Sequence, residues 1–347
     1  MTYLNEAPTI AVSQLRSFEN NELFLKRHLP LERELAKQGA RLIALNGSRD
    51  KLEGSAFSRF YTFNGDTLNA NDSTTHVDAA YDLSGGIARY VPAVPALNPE
   101  KLRDTVLSKY SQHEALKPLG DHVPETVRVV PLKSSVEDAM EQMQSDRLII
   151  KDDNGTNKKR RMLVGTKDEI RSGLDAYLET MDASKDVLVI QEYMPEVFSD
   201  FATGIIPVDE TERGILNASR GLAREIRVHT IDGKPLHVTG RSGLDAQQLS
   251  PLDKWVYVHQ DTVPKAVTDL ASKAAQLTID YSGARDAYLA VDITPDGNRI
   301  IEVNGRNIGT MSYDPLRPAS YVAHKKTTSG LADKLVSMAY RSKKERS

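Results

Sequence analysis

Short apolar runs alternate with spaced apolar stripes along the chain, a pattern that predicts a mixed α/β protein. Ile10 to Val12 reads as a strand. Asn20 to Lys37 carries Leu23, Leu31 and Leu35 on one stripe and reads as a helix that Pro30 kinks or restarts and Gly39 caps. Arg41 to Leu45 is the next strand, so the chain opens as a parallel βαβ unit. The first βα connection, Ser13-Gln14-Leu15-Arg16-Ser17, lacks the glycines of a dinucleotide-binding turn. Residues 91–99 hold three prolines and read as a connection. Helices follow over Pro99 to Leu116, Ser135 to Gln144 and Lys167 to Glu179, with strands at Thr126 to Val130, Leu148 to Lys151, Met162 to Val164 and Val187 to Ile190. Glu225 to Thr230 and Leu236 to Thr239 flank Asp232-Gly233, a hairpin signal. Pro264 to Tyr281 places Val267, Leu270, Ala274, Leu277 and Tyr281 on one helical face. The end after Ser329 is basic and is expected to fray, its charges solvated.

The densest chemistry lies in YLAVDITPDGNRIIEVNGRNIGT, Tyr288 to Thr310. Two apolar runs flank a polar turn containing Asp296-Gly297, again a hairpin. Side chains alternate along a strand, so Glu302 and Asn304 share a face, and Asp292 lies on the neighbouring strand. Three such oxygen donors suit a hard divalent cation. The alternative reading is a half-exposed hairpin with a polar face. Cations lie in the same region of the pattern. Lys151 ends an apolar strand, Lys109 falls within the helix Pro99 to Leu116, and Lys158 to Arg161 form a basic run in a polar loop. A basic loop between strands can close over a polyphosphate, although a run of charge read alone is a solvated turn. Arg227 and Arg241 lie on the Asp232-Gly233 hairpin and Arg306 follows Asn304; arginine suits planar recognition of phosphate or carboxylate.

Composition narrows the setting. With 347 residues and 39% hydrophobic content the chain can build two or three domains. A net charge of −3 gives no reason to expect nucleic acid or an anionic membrane as partner. Cysteine is absent, which excludes disulfides, thiolate metal sites and a cysteine nucleophile. No signal peptide is visible and no apolar run approaches the roughly 20 residues of a membrane span, so a cytoplasmic protein is expected. His113, His229 and His237 read as polar or packing residues rather than bases.

Six segments in order resemble the ATP-grasp superfamily, and within it the carboxylate–amine ligases similar to glutathione synthetase and the ribosomal-protein glutamate ligases. They are ALNPEKLRDTVLSKYSQHEAL, GDHVPETVRV, IIKDDNG, VLVIQEYM, REIRVHTIDGKPLHVTGR and AVDITPDGNRIIEVNGR, spanning roughly residues 95–315. The resemblance implies an α/β fold of α+β subdomains, the ATP-grasp fold, behind an N-terminal Rossmann-like pre-ATP-grasp domain that helps select substrate. The boundaries it implies are 1–97 for that domain, 98–194 for the small lid subdomain with its leading helix, 195–330 for the C-terminal subdomain, and 331–347 for a basic tail.

It also implies roles. Lys109 and Lys151 match the lysines that contact nucleotide phosphates, and Gln191, Glu192, Tyr193 and Met194 match the hinge that reads adenine. Asp200, or else Glu196, would bind ribose. Asp292, Glu302 and Asn304 match the ligands of two Mg²⁺ (or Mn²⁺) ions, while Arg227, Arg241 and Arg306 match basic residues around the γ-phosphate and the acyl phosphate. The implied activity is ATP-dependent ligation of a small-molecule carboxylate to an amine, possible as a homodimer, as is common among similar proteins; a small-molecule kinase is the alternative. Two departures stand out. The phosphate loop is poor in glycine, with four basic residues instead, and the connection Pro195 to Ser219 is longer than usual.

Overall fold

The computed structural model describes residues 7–13, 22–46, 49–65, 67–82, 86–154, 162–194, 223–242, 254–258, 263–294, 296–305 and 318–346. β1 (Thr9–Ser13), α1 (Glu22–Lys37) and β2 (Arg41–Leu45) realise the predicted βαβ opening, with Pro30 inside a single helix and Gly39 turning the chain at a φ of 70°. β3 (Ala56–Phe57), β4 (Phe60–Asn64), β5 (Thr67–Asn71), β6 (Thr75–His76), β7 (Ala79–Asp82), α2 (Gly86–Tyr90) and β8 (Ala96–Leu97) complete this unit. Its six-stranded sheet runs β5-β4-β2-β1-β7-β8, parallel from β2 to β8, with the hairpin β4–β5 antiparallel at one edge. The stretch 91–99, read as a connection, thus contributes an edge strand, two residues that its prolines disguise.

The expected helix from Pro99 to Leu116 is two helices, α3 (Glu100–Leu107) and α4 (Lys109–Leu116). The break falls at Ser108, which is extended (φ −83°, ψ 119°) and whose hydroxyl accepts from the Ser111 N–H, an N-cap in the middle of an apolar stripe. β9 (Thr126–Val129), α5 (Lys133–Gln142), β10 (Arg147–Asp152), β11 (Met162–Thr166), α6 (Lys167–Leu178) and β12 (Leu188–Glu192) follow. They form an antiparallel four-stranded sheet of order β11-β10-β12-β9. Leu148, Ile150, Leu188 and Ile190 point from one face into a core shared with Val136, Met140, Ile170 and Leu174 of α5 and α6. The alternate residues Lys151, Gln191, Thr126 and Arg128 therefore occupy the other face.

The third sheet is built the same way. β13 (Ala223–Ile231), β14 (Lys234–Ser242), β15 (Lys254–Val258), α7 (Lys265–Ser282), β16 (Tyr288–Ile293) and β17 (Ile300–Asn304) give a five-stranded sheet of order β15-β14-β13-β16-β17. Asp232 and Gly233 take positive φ values of 48° and 75° at the β13–β14 turn, as a tight two-residue hairpin requires. Ile226, Val228, Val238, Val291, Ile293 and Val303 pack with Val267, Leu270, Ala274 and Ala275 of α7.

The expected frayed tail is instead the long helix α8 (Pro318–Arg346). Its Leu331, Ala332, Leu335, Met338 and Ala339 are buried with Ile10, Val12, Tyr81, Tyr288 and Ala290, so the helix seals the N-terminal sheet against the five-stranded one. Its basic groups are paired rather than solvated. Arg341 and Lys334 reach Asp286, and Arg346 and Lys343 reach Asp78. Leu335→Ala should lower unfolding free energy by about 2–5 kcal/mol, whereas Lys325→Ala, at an exposed position of the same helix, should change it by less than about 0.5 kcal/mol, as read from denaturant melts.

Candidate active site

With α7 covering one face of the five-stranded sheet, the strand period forces polar residues onto the other. Arg227 faces Asp292 across β13–β16, and Asp292 faces Glu302 across β16–β17. Arg227 lays its guanidinium flat on Asp292, Nε donating to Oδ1 and Nη2 to Oδ2, both at 2.6 Å. Asn304, one side-chain repeat beyond Glu302, donates through Nδ2 to Asp292 Oδ2 at 2.8 Å and to Glu302 Oε1 at 3.0 Å. The remaining Glu302 oxygen, Oε2, accepts from Lys109 Nζ at 2.5 Å. The three residues singled out as metal ligands are therefore adjacent, and each carboxylate already carries a cation.

Glu225, one repeat before Arg227, adds a third acid that the sequence reading passed over; its carboxylate lies 3.8 Å from Arg227. Burial, and then the neighbouring Asp292, raise the Glu225 carboxyl well above the usual range. Burial also raises Asp292, against the pull of Arg227. At Glu302 the opposite balance holds: burial pushes the carboxyl up, but Lys109, Asn304 and Lys151 outweigh it and hold it down to about 2. One repeat further in, His229 and His237 stack with ring centroids 4.1 Å apart. Burial drives His237 down to about 3 and His229 well below its ordinary value.

Lys109 owes its place to a residue that sequence reasoning missed. Asp153, 1% exposed at the end of β10, receives the Ser108 hydroxyl at 2.9 Å and the Tyr110 N–H at 2.9 Å, and its carbonyl receives the Lys109 N–H at 3.0 Å. An acid at the N-terminus of α4 satisfies otherwise unpaired donors and favours the helix dipole. The signal was present in the Asp152-Asp153-Asn154-Gly155 turn, but nothing in the sequence linked it to Ser108. The four-stranded sheet supplies Lys151, whose Nζ donates to Gln191 Oε1 at 2.7 Å, while Gln191 Nε2 donates to Thr126 at 3.0 Å. Burial, then the nearby Lys109, lowers Lys151 to about 8 against the pull of Glu302. Glu192 forks with Arg299 at 2.8 and 2.6 Å, joining the end of β12 to the β16–β17 turn. Tyr193 and Met194 continue from β12, with the Tyr193 N–H donated to the Arg147 carbonyl at 2.9 Å.

Lys109, Lys151, Gln191, Arg227, Asp292, Glu302 and Asn304 thus converge from two sheets and one helix N-terminus. Arg241 lies on β14 opposite Glu225, at the same end of the sheet, though its side chain is outside the described part. Asp200, Glu196, Arg306 and the basic run Lys158 to Arg161 lie outside the described residues. Among the described residues, no three His, Asp or Glu side chains are arranged as a metal-holding group. The candidate set is two carboxylates and an amide, and it fits a hard cation by chemistry: all three side chains carry oxygen donors, and the acids are buried against cations that a metal ion would displace or join. Among the described residues, no helix is long and apolar enough to cross a membrane.

No family model matches the chain, and no curated protein sequence does. Solved structures do, over nearly the whole length. D-alanine–D-alanine ligase from Bacillus anthracis is 17% identical, with a TM-score of 0.57 over 99% of this chain and 100% of that one. D-cycloserine synthetase DcsG is 14% identical, with a TM-score of 0.57 over 94% and 99%. The ATP-grasp ligase PsnB, complexed with a minimal precursor, is 15% identical, with a TM-score of 0.54 over 96% and 99%. At these identities the likeness is one of architecture, and it agrees with the six ordered segments and the two polar sheet faces: the chain has the ATP-grasp fold.

Proposed function

We propose that this protein is an ATP-dependent ligase that joins a carboxylate to an amine through an acyl phosphate, releasing ADP and phosphate. The observation that carries the reading is the Lys109–Glu302 contact: the N-terminus of α4, tied by Asp153 to the end of β10, sets an ammonium on the acidic row of the five-stranded sheet close to Lys151 of the four-stranded one, within an ATP-grasp fold. Ligases of this architecture, D-alanine–D-alanine ligase and D-cycloserine synthetase among them, support the same reaction class.

Bound ATP with Mg²⁺, two ions (or Mn²⁺) in our reading, would supply the transferable phosphoryl group and the charge that turns a poor electrophile into a mixed anhydride. Asp292, Glu302 and Asn304 are the residues that would hold the ions. Lys109 and Lys151 would bind phosphate oxygens, and neither has far to move: Lys109 now neutralises Glu302 and Lys151 rests on the Gln191 amide. Glu192 to Met194 would take the adenine at the open end of β12, with Asp200 on the ribose. Arg227 is held on Asp292, so its contribution is to fix the acid and add positive potential, with Arg241 and Arg306 nearer the acyl phosphate. The N-terminal unit, residues 1–97, would select the substrate. No nucleophilic side chain is needed, because positioning and charge neutralisation carry such a transfer.

The direct test is ATP turnover against pooled amino acids, peptides and hydroxylated metabolites, with products identified by mass. ADP with a condensed product is expected; a phosphorylated acceptor without condensation would make the protein a kinase. Glu302→Gln and Asp292→Asn should each lower Mg²⁺-dependent turnover by roughly 100-fold or more while leaving the fold intact by circular dichroism. Lys151 gives a pH signature. A lysine brought down to about 8 is charged at pH 7 and largely neutral at pH 9, so its grip on phosphate is lost as pH rises through that value. The dissociation constant for Mg·ATP should therefore rise about tenfold from pH 7 to pH 9, and Lys151→Arg should abolish the rise. The same shift acts on stability. Between pH 8 and 10.5 the unfolded chain binds the extra proton, so this lysine makes unfolding less favourable as pH climbs through that window.

A further inference from the structure

Asn98 stands where the N-terminal unit meets the rest of the chain, directly after β8. It is 6% exposed and sits at a φ of 58°, a left-handed conformation that asparagine tolerates better than most residues. Its side chain behaves as a piece of sheet. The Tyr288 N–H donates to Asn98 Oδ1 at 2.7 Å, and Asn98 Nδ2 donates back to the Tyr288 carbonyl at 2.7 Å. That is the two-bond exchange of a hydrogen-bonded antiparallel pair. The β16–β17 register pairs Asp292 with Glu302 and Ala290 with Asn304, so one further step would bring position 306 opposite Tyr288. The Asn98 amide fills that place in the ladder. The same Nδ2 also donates to the Gly305 carbonyl at 2.7 Å, one residue past Asn304. Gly305 is packed so closely that a Cβ there would lie 2.9 Å from Val106 Cγ2 and 3.1 Å from Leu289 Cδ2. The end of β17 is thus clasped from both sides.

We infer that Asn98 is a positioning residue for the metal hairpin: as a surrogate strand residue it ends β17 immediately after Asn304 and fixes Glu302 and Asn304 against Asp292. This rests on reading those three as metal ligands. It also makes the junction of the N-terminal unit part of the metal site, so that placement of β8 and metal·ATP binding bias one another.

The variants follow from the geometry. Asn98→Gly keeps the left-handed backbone and removes the clasp. Asn98→Asp keeps size and the acceptor for Tyr288 but turns a negative oxygen toward two carbonyls. The readout is the Mg²⁺ concentration giving half-maximal ATP binding, measured by calorimetry below the melting temperature of each variant. Both variants should raise it at least about tenfold. On the unmutated protein, Mg·ATP but not metal-free ATP should slow hydrogen exchange of the Tyr288 N–H at least about tenfold more than that of Val228. A folded Asn98→Gly or Asn98→Asp with the unmutated midpoint overturns the inference, as does a Tyr288 amide indifferent to Mg·ATP should neither variant fold. Glu302→Gln separates the two levels. If it leaves the Mg²⁺ midpoint unchanged, the metal reading itself fails; if it shifts the midpoint and the Asn98 variants do not, Asn98 alone has been misassigned.

Discussion

Three carboxylates on one sheet face, Asp292 buried and Glu225 and Glu302 half-buried, are the constraint around which the rest of this structure is arranged. Glu225, Asp292 and Glu302 stand within a few side-chain places of one another on β13, β16 and β17. Unpaired, such groups could not stay charged in a folded interior. The molecule answers each one differently. Burial and Asp292 raise Glu225 toward its neutral form, Asp292 takes a guanidinium from the strand beside it, and Glu302 takes an ammonium from a helix that belongs, in sequence, to a distant segment. The last answer has the widest structural consequence. To deliver Lys109, a helix must be broken at Ser108, restarted, and held by Asp153, and Asp153 must itself be carried there by β10. Lys151 on the four-stranded sheet, Lys109 on α4 and the acid row on the five-stranded sheet thereby come together between the two sheets.

That arrangement follows from simple patterning. Each of the two sheets covers one face with helices, and the period of two sends every alternate residue to the opposite face. Two amphipathic sheets with helix-covered backs have their polar faces left to meet each other; the Glu192–Arg299 fork joins them directly, and α4, held by Asp153 at the end of β10, adds the Lys109–Glu302 pair. Both bridges are charge-assisted and partly wet, the kind of contact that can open and re-form as a nucleotide enters.

Much of the site was legible from residue order alone, because its chemistry leaves few substitutes. The Asp292, Glu302 and Asn304 spacing, Lys151 at a strand end, and Asp232-Gly233 at a turn each carry a local physical signature. Packing positions such as Val228 or Leu270 need only volume and apolarity, and carry no such signature. What stayed hidden was non-local. Ser108 in an apolar stripe looks like any polar position on a helix, and only Asp153, far along the chain, makes it a cap. Glu225 looks like a surface acid on an edge until β16 is placed beside it. The strands β5, β7 and β8 are short or rich in small and polar residues, so their pattern is weak. α8 was misjudged because its Lys and Arg residues read as solvated. Leu331, Leu335 and Met338 share its turns with Lys334, Arg341 and Lys343, so one helix carries both an apolar seam and a set of acid-seeking cations.

The seam and the cations have a joint effect on function. α8 is packed on β1 and β7 of the N-terminal unit and on β13, β14 and β16 of the five-stranded sheet, while Lys334 and Arg341 hold Asp286. Asp286 in turn accepts the Asn98 N–H through its carbonyl at 3.1 Å, immediately before the strand that bears Asp292. How firmly the N-terminal sheet and the five-stranded sheet are placed on each other depends on the connection between them. Here the connection is short and buried, hydrogen-bonded on one side by Asn98 and sealed on the other by α8. The N-terminal sheet and the acid row are therefore positioned by the same set of contacts.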